Sequence, residues 1–198
     1  MIEHPQGGPV EAWGLIDERG RWLIEPQFRY ILDRAPNGTY YASNFEDVGG
    51  FLNAQGRWVI SPKFSLADSF ATNGLAKACV SDDIYACGFI DFQGQWAIQP
   101  SFKAVESFGD EDLAAAKAQG GKWGFIDVQG QWVIEPRFKY VRPFAANGLA
   151  AATDGDDKVG YIDAKGRWVI KPQFESGDSF TSFGVAVVFF KEYKKAIL

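Results

Sequence analysis

The sequence predicts an all-β fold. It reads as five tandem antiparallel β-meander or hairpin repeats of about 36 residues, with a propeller-like closed ring favoured over an open twisted β array. Three observations carry this expectation. One fifteen-residue stretch occurs five times. Every copy places a turn signal between two runs of β-formers. The intervals between copies hold a further strand pattern of their own.

The clearest copy is Gly124–Phe138, GFIDVQGQWVIEPRF. The others are Gly14–Phe28 (GLIDERGRWLIEPQF), Gly50–Phe64 (GFLNAQGRWVISPKF), Gly88–Phe102 (GFIDFQGQWAIQPSF) and Gly160–Phe174 (GYIDAKGRWVIKPQF). Successive copies lie 36, 38, 36 and 36 residues apart. A period of this size, sustained five times, marks a repeat architecture, so residues 1–198 read as one repeat domain.

Within Gly124–Phe138, Gly124-Phe-Ile-Asp and Gln131-Trp-Val-Ile are rich in β-formers. Asp127-Val-Gln-Gly130 joins them. Aspartate suits the first position of a type I turn, and glycine the left-handed position that closes it with a bulge. Asp17/Gly20, Asp91/Gly94 and Asp163/Gly166 repeat the signal, and Asn53/Gly56 is its conservative variant. This turn predicts Ile126 opposite Trp132, Phe125 opposite Val133 and Gly124 opposite Ile134, with the glycine leaving room for the indole. Both faces of the hairpin are apolar, so it must be covered on both sides. Pro136 is expected to end the ladder, as are Pro26, Pro62, Pro100 and Pro172.

The intervals supply one or two more strands, for a meander of three or four. Residues 138–144 give a short first piece. Leu149-Ala-Ala-Ala then matches Leu75-Ala-Lys-Ala, Leu113-Ala-Ala-Ala and Val185-Ala-Val-Val as a second strand, with small side chains that suit close sheet packing. Asn37-Gly38, Asn73-Gly74 and Asn147-Gly148 are turns before it. Ring closure would pair the strand at 184–190 with the hairpin that begins near Val10, leaving no free edge.

Composition narrows the function. The net charge is −5 and no basic stripe accompanies the aromatic residues, which argues against a nucleic-acid surface. No apolar run approaches a membrane span, and residues 1–10 lack the regions of a signal peptide. Two cysteines and one histidine, His4, are too few for a Cys/His zinc cluster and give no histidine for a Ser-His-Asp triad outside the N-terminus.

The stretch Lys122-Trp-Gly-Phe-Ile-Asp-Val-Gln-Gly-Gln-Trp-Val-Ile-Glu-Pro-Arg-Phe138 resembles the unit of the WG-repeat (KWG-repeat) family of mostly bacterial proteins. The resemblance runs from about Trp13 to Phe190. The Trp-Gly pair stands at Trp13-Gly14 and Trp123-Gly124. Gly49, Cys87 and Val159 replace its tryptophan elsewhere, so that side chain is not a ligand contact required in every unit. The resemblance implies a β-repeat binding or interaction module and carries over no catalytic residues.

The remaining candidates each have a structural reading beside the functional one. The aligned Asp17, Asn53, Asp91, Asp127 and Asp163 are explained by turn chemistry. Asp82, Asp83, Asp110, Asp154, Asp156 and Asp157 lie in acidic loops, either solvated turns or a rim facing a basic partner. Cys79 and Cys87 are either two small buried thiols or a cross-strand disulfide, and the disulfide would mean export to an oxidising compartment. The recurring Trp22, Trp58, Trp96, Trp132 and Trp168 are expected in the core, leaving Tyr40, Tyr41, Tyr85 and Tyr140 for surface contact. Arg21, Arg57, Gln95, Gln131 and Arg167 form a polar row, with exposed pairs to Asp17 and Asp163 expected.

No catalytic, cofactor-binding or metal-binding residues are expected. The leading expectation is a non-enzymatic scaffold that binds another protein through its repeated hairpin surface. A carbohydrate or cell-envelope binder is the alternative. A hydrolase with carboxylates gathered between repeats comes third.

Overall fold

Each Asp-x-x-Gly segment forms the turn its residues dictate. Asp127 Oδ1 accepts the N–H groups of Gln129 at 2.9 Å and Gln131 at 2.8 Å. The Gly130 N–H donates to the Asp127 carbonyl at 2.9 Å, and Gly130 adopts φ 79°, where a side chain would be strained. The computed structural model describes residues 11–32, 34–80, 87–109 and 111–191. Asp82, Asp83, Asp110, His4 and Tyr85 lie outside the described residues.

All described regular structure is β. The first sheet pairs β1 (Trp13–Ile16) with β2 (Trp22–Phe28). The next is β3 (Tyr30–Ile31), β4 (Tyr40–Ser43), β5 (Gly49–Leu52) and β6 (Trp58–Phe64), paired in sequence order. A third comprises β7 (Leu66–Ala67), β8 (Ala76–Cys79), β9 (Cys87–Ile90) and β10 (Trp96–Phe102). A fourth comprises β11 (Ala104–Val105), β12 (Ala114–Lys117), β13 (Trp123–Ile126) and β14 (Trp132–Phe138). A fifth comprises β15 (Tyr140–Val141), β16 (Ala150–Thr153), β17 (Val159–Ile162) and β18 (Trp168–Phe174). The last sheet holds β19 (Ser176–Gly177) and β20 (Val188–Phe189). The meander of three or four strands expected from the sequence has four in the repeating sheet. The terminal sheets have two strands each, and ring closure is not shown.

The hairpin register departs from the expected one just past the turn. Ile126 pairs with Trp132 as predicted, but Phe125 pairs with Ile134 and Trp123 with Phe138. Val133 is bulged out and exposed. Glu135, Pro136 and Arg137 then oppose Gly124 alone. Proline does not end the strand here. It sits where the ladder is already broken, so its missing N–H costs nothing, and the strand runs on to Phe138. Gly124 makes room for main chain and not for the indole: a Cβ there would lie 2.3 Å from the Ile134 oxygen and 2.9 Å from the Pro136 nitrogen. Gly14, Gly50, Gly88 and Gly160 meet the same atoms of their own repeats.

The chain divides into residues 1–101 and 102–198, each with its own core. In the first, Phe51, Ile60 and Phe64 pack with Ala67, Phe70, Ala76, Ala78 and Ile90 of the following sheet. In the second, Phe125, Ile134 and Phe138 pack with Val141, Phe144, Ala150, Ala152 and Ile162. The small residues of the second strand are fully buried, as close packing requires.

The recurring tryptophans do not form this core. Four of the five stand edge-on to the phenylalanine ending the preceding repeat: Phe28–Trp58 at 5.5 Å, Phe64–Trp96 at 6.0 Å, Phe102–Trp132 at 5.6 Å and Phe138–Trp168 at 5.6 Å between centroids. Trp22 and Trp58 are exposed and the other three half-buried. The turn glycines face the preceding repeat too, with Gly94 against Ile60 and Gly166 against Ile134.

Gly124→Ala is expected to lower stability by about 1–3 kcal/mol, since the added methyl must displace main chain. Urea unfolding followed by tryptophan fluorescence measures this, and an unchanged midpoint would refute the crowding at Gly124.

Candidate interaction site

The aligned turn carboxylates are committed to the turns. Asp17 Oδ1 accepts from the Arg19 and Arg21 N–H groups, and Asp163 Oδ1 from those of Lys165 and Arg167. Arg21 and Arg167 also donate Nε–H to Oδ2 of the same aspartates, at 2.8 Å each, giving the exposed cross-strand pairs expected from the polar row. The Arg21 main-chain N–H and then its guanidinium hold Asp17 below its ordinary value. For Asp163 the Arg167 guanidinium comes first and its main-chain N–H second.

Of the acidic loop residues, Asp154 and Asp157 also serve the fold. Asp154 Oδ1 accepts from the Asp156 N–H at 3.0 Å and the Lys158 N–H at 3.4 Å. Asp157 adopts φ 62° and pairs with Lys139. Asp156 is exposed. Asn44 repeats the device in the earlier sheet: its Oδ1 accepts from Glu46 and Val48 N–H at 3.0 Å each, Asp47 adopts φ 60°, and Asp47 pairs with Arg29. Among the described residues, no group of three or more His, Cys, Asp or Glu side chains is placed to hold a metal ion. Nor is any helix among them long and apolar enough to cross a membrane.

Cys79 and Cys87 face each other in the β8–β9 ladder, with Cα atoms 4.1 Å apart, and are joined by a disulfide. This bridge closes the one interval that is two residues longer than the rest.

The built surface lies where a sheet ends and the next begins, within residues 1–101. Arg29, Tyr30, Tyr41, Ser43, Asp47, Ser65 and Leu66 line a concavity of about 410 Å³. The Arg29 N–H donates to the Ser43 carbonyl at 3.0 Å, and the Ser65 N–H to that of Cys79 at 2.9 Å, which fixes two of its walls. Tyr41 forms the floor. Its hydroxyl occupies the space over Gly49, where a Cβ would lie 2.2 Å away, so tyrosine fills the room left by the absent tryptophan of that repeat. Burial pushes its phenol above the ordinary value, and a backbone hydrogen bond at Ala67 works against the rise. A second concavity of about 420 Å³ shares Arg29 and adds Glu11, Trp13 and Phe45.

Tyr30, Phe45 and Leu66 are exposed around the Arg29–Asp47 pair. Aromatic rings, a leucine and an arginine, with serines and an aspartate among them, can desolvate an apolar side chain and anchor a polar one beside it. Sequence reasoning missed Arg29, Tyr30, Phe45 and Leu66. For Arg29, Tyr30 and Leu66 the signal was the variation at the residues just after each repeat's terminal phenylalanine: Arg29-Tyr30, Ser65-Leu66, Lys103-Ala104, Lys139-Tyr140 and Glu175-Ser176. Tyr41, expected at the surface, is buried, whereas Tyr140 is exposed and Tyr40 half-buried.

Four-stranded antiparallel meanders strung in tandem define a propeller-like β-repeat protein. The family model described as "WG containing repeat" matches residues 13–35, 50–82, 88–123, 123–156 and 160–193. The chain belongs to that family. Among solved structures it is similar to Kluyveromyces lactis Hsv2, with TM-score 0.56 and 12% identity over 83% of this chain and 59% of that one. The Hsv2 form with loop 6CD replaced by a Gly-Ser linker gives TM-score 0.56 and 12% identity over 83% and 62%. The WD40 β-propeller domain of Doa1 overlaps more loosely, with TM-score 0.41 and 14% identity over 84% and 62%. The chain spans less than two thirds of these proteins, and at such identities the likeness concerns the fold alone. No curated protein matches the sequence.

Two outcomes follow. Reducing Cys79–Cys87 is expected to cost about 2–3 kcal/mol from the loop it closes, read as a lower urea midpoint with dithiothreitol. Free thiols on alkylation of protein from an oxidising source would contradict the bridge. The contribution of Asp17 and Asp163 is complete above their ordinary value of 3.8 and lost as the pH falls through the depressed folded values. The Asp17→Asn, Asp163→Asn double variant should therefore lose less stability than the wild type when the pH falls below that value.

Proposed function

We propose that the protein is a non-enzymatic binding module that holds another protein through the groove around Arg29. The observation behind this reading is the exposed Tyr30 and Leu66 over a floor of buried Tyr41, in a fold where Trp58, Trp96, Trp132 and Trp168 are engaged in packing between repeats. Tyr30 and Leu66 lie on β3 and β7, the edge strands of two successive sheets. Arginine and tyrosine are the residue types that most often dominate the energetics of protein interfaces. The membership of a repeat family supports the same class of role. The Cys79–Cys87 bridge favours an oxidising compartment as the place of action.

The test uses the 198-residue chain as bait against a bacterial lysate and its envelope fraction, beside Tyr30→Ala and Leu66→Ser variants. Both side chains are exposed, so the variants should fold normally. One defined protein retained at physiological salt, and held roughly tenfold more weakly or worse by either variant, is the expected result. Equal retention by all three baits would remove the groove. Retention on insoluble wall material with no protein partner would place a carbohydrate there instead.

A further inference from the structure

We infer that the Cys79–Cys87 bridge is a redox latch on the Arg29 groove, holding its Leu66 wall in place when oxidised and releasing it when reduced. The latch acts on the binding site proposed above, and its regulatory role rests on that reading. The wall is thin. β7 has two residues, Leu66 and Ala67, which pair with Cys79 and Ala78. The Cys79 carbonyl accepts the Ser65 N–H at 2.9 Å and the Ser65 hydroxyl at 3.3 Å. Ser65 and Leu66 both line the groove, and Ala67 makes the backbone hydrogen bond to the Tyr41 floor. The main chain of one cysteine therefore holds the near end of the wall.

On its other side Cys79 forms the last rung of the β8–β9 ladder, opposite Cys87. The same rung in the other four-stranded sheets is Ser43–Gly49, Lys117–Trp123 and Thr153–Val159. Five residues separate the partners there. A tight turn locks each of those rungs: the N–H groups of Asn44, Ala118 and Asp154 donate to the carbonyls of Val48, Lys122 and Lys158 at 3.0, 2.9 and 3.2 Å. Seven residues separate Cys79 from Cys87, and among the described residues the tie across them is the disulfide. A terminal rung is where a ladder opens first. The covalent bond suppresses that opening for Cys79, and through Cys79 for Ser65 and Leu66.

The bridge is also within reach of a reductant. Cys79 is buried and Cys87 half-buried, so an external thiolate attacks the Cys87 sulfur. That step forms a mixed disulfide and expels Cys79 as a thiolate, which takes up a proton. The second thiol of a dithiol reductant then displaces the Cys87 sulfur and closes its own disulfide. One protein disulfide and one dithiol become two protein thiols and one new disulfide. In an oxidising compartment the bridged form is the resting state, so the groove is held until such a dithiol arrives.

Amide hydrogen exchange of the full chain, resolved at single residues, tests the latch without any partner. The chain is compared oxidised, reduced with dithiothreitol, and as the Cys79→Ser, Cys87→Ser double variant. The Ser65 amide reports the wall. The Arg29 and Lys139 amides donate to Ser43 and Thr153 at the equivalent place in other sheets, and they serve as references because a general loss of stability speeds all three alike. Ser65 is expected to gain roughly tenfold over both references on reduction and in the double variant. An unchanged ratio, with complete reduction shown by the added mass of the thiol hydrogens, would overturn the latch. The envelope-fraction pull-down adds the binding readout: the double variant should hold the partner of the oxidised wild type roughly tenfold more weakly, since less of it has the groove formed. Undiminished retention would overturn the latch and leave the groove standing. Failure of the groove reads differently, as full retention by the Tyr30→Ala bait, and takes the regulatory role with it whatever the exchange result.

Discussion

The contact on which the rest depends is between main chain and main chain. In each repeat the last strand folds its Ile-x-Pro backbone against a glycine of the strand before it, leaving no room for a Cβ. That approach is possible only with glycine on one side and an interrupted ladder on the other, and proline makes the interruption harmless. The bulge shifts the register and carries the terminal phenylalanine to the far end of the hairpin. There its ring meets the next repeat's tryptophan edge-on. One local crowding event therefore sets the spacing between neighbours, and the five-fold recurrence of Gly, Pro, Phe and Trp follows from it.

Against that constant frame, the variable positions stand out. Where tryptophan is lost before the glycine, as at Gly49, a neighbouring strand supplies Tyr41 to fill the space. Where the chain leaves one sheet for the next, the residues after phenylalanine vary from repeat to repeat. They range from Arg29-Tyr30 to Glu175-Ser176, and Arg29, Tyr30, Ser65 and Leu66 of the groove are among them. Packing holds the repeat constant, and chemistry specific to one repeat collects in the connections.

The fold was largely legible because its devices are local. Asp127 and Gly130 announce their turn, and alternation with turn spacing announces the strands. The register beyond the turn was not legible, because an unbulged ladder is the default and nothing within four residues of Gly124 shows that Pro136 will sit beside it. The tryptophans were assigned to the core on hydrophobicity alone, although they serve as edge-on spacers half in contact with solvent. The groove was hidden for a different reason. Arg29 and Leu66 are far apart in sequence and meet only once two sheets are in place, whereas Cys79 and Cys87, eight residues apart in one hairpin, were within reach of simple counting.

That bridge also changes what happens to a damaged molecule. Cys79 and Cys87 bracket the connection of the longest repeat, so any peptide bond broken between them leaves the two parts of the chain covalently tied. A nicked molecule would keep its neighbours in register, with its repeats still adjacent and its mass intact apart from one added water. Only a reductant would separate the pieces, so at this connection the cutting of the chain and the loss of the protein become separate events.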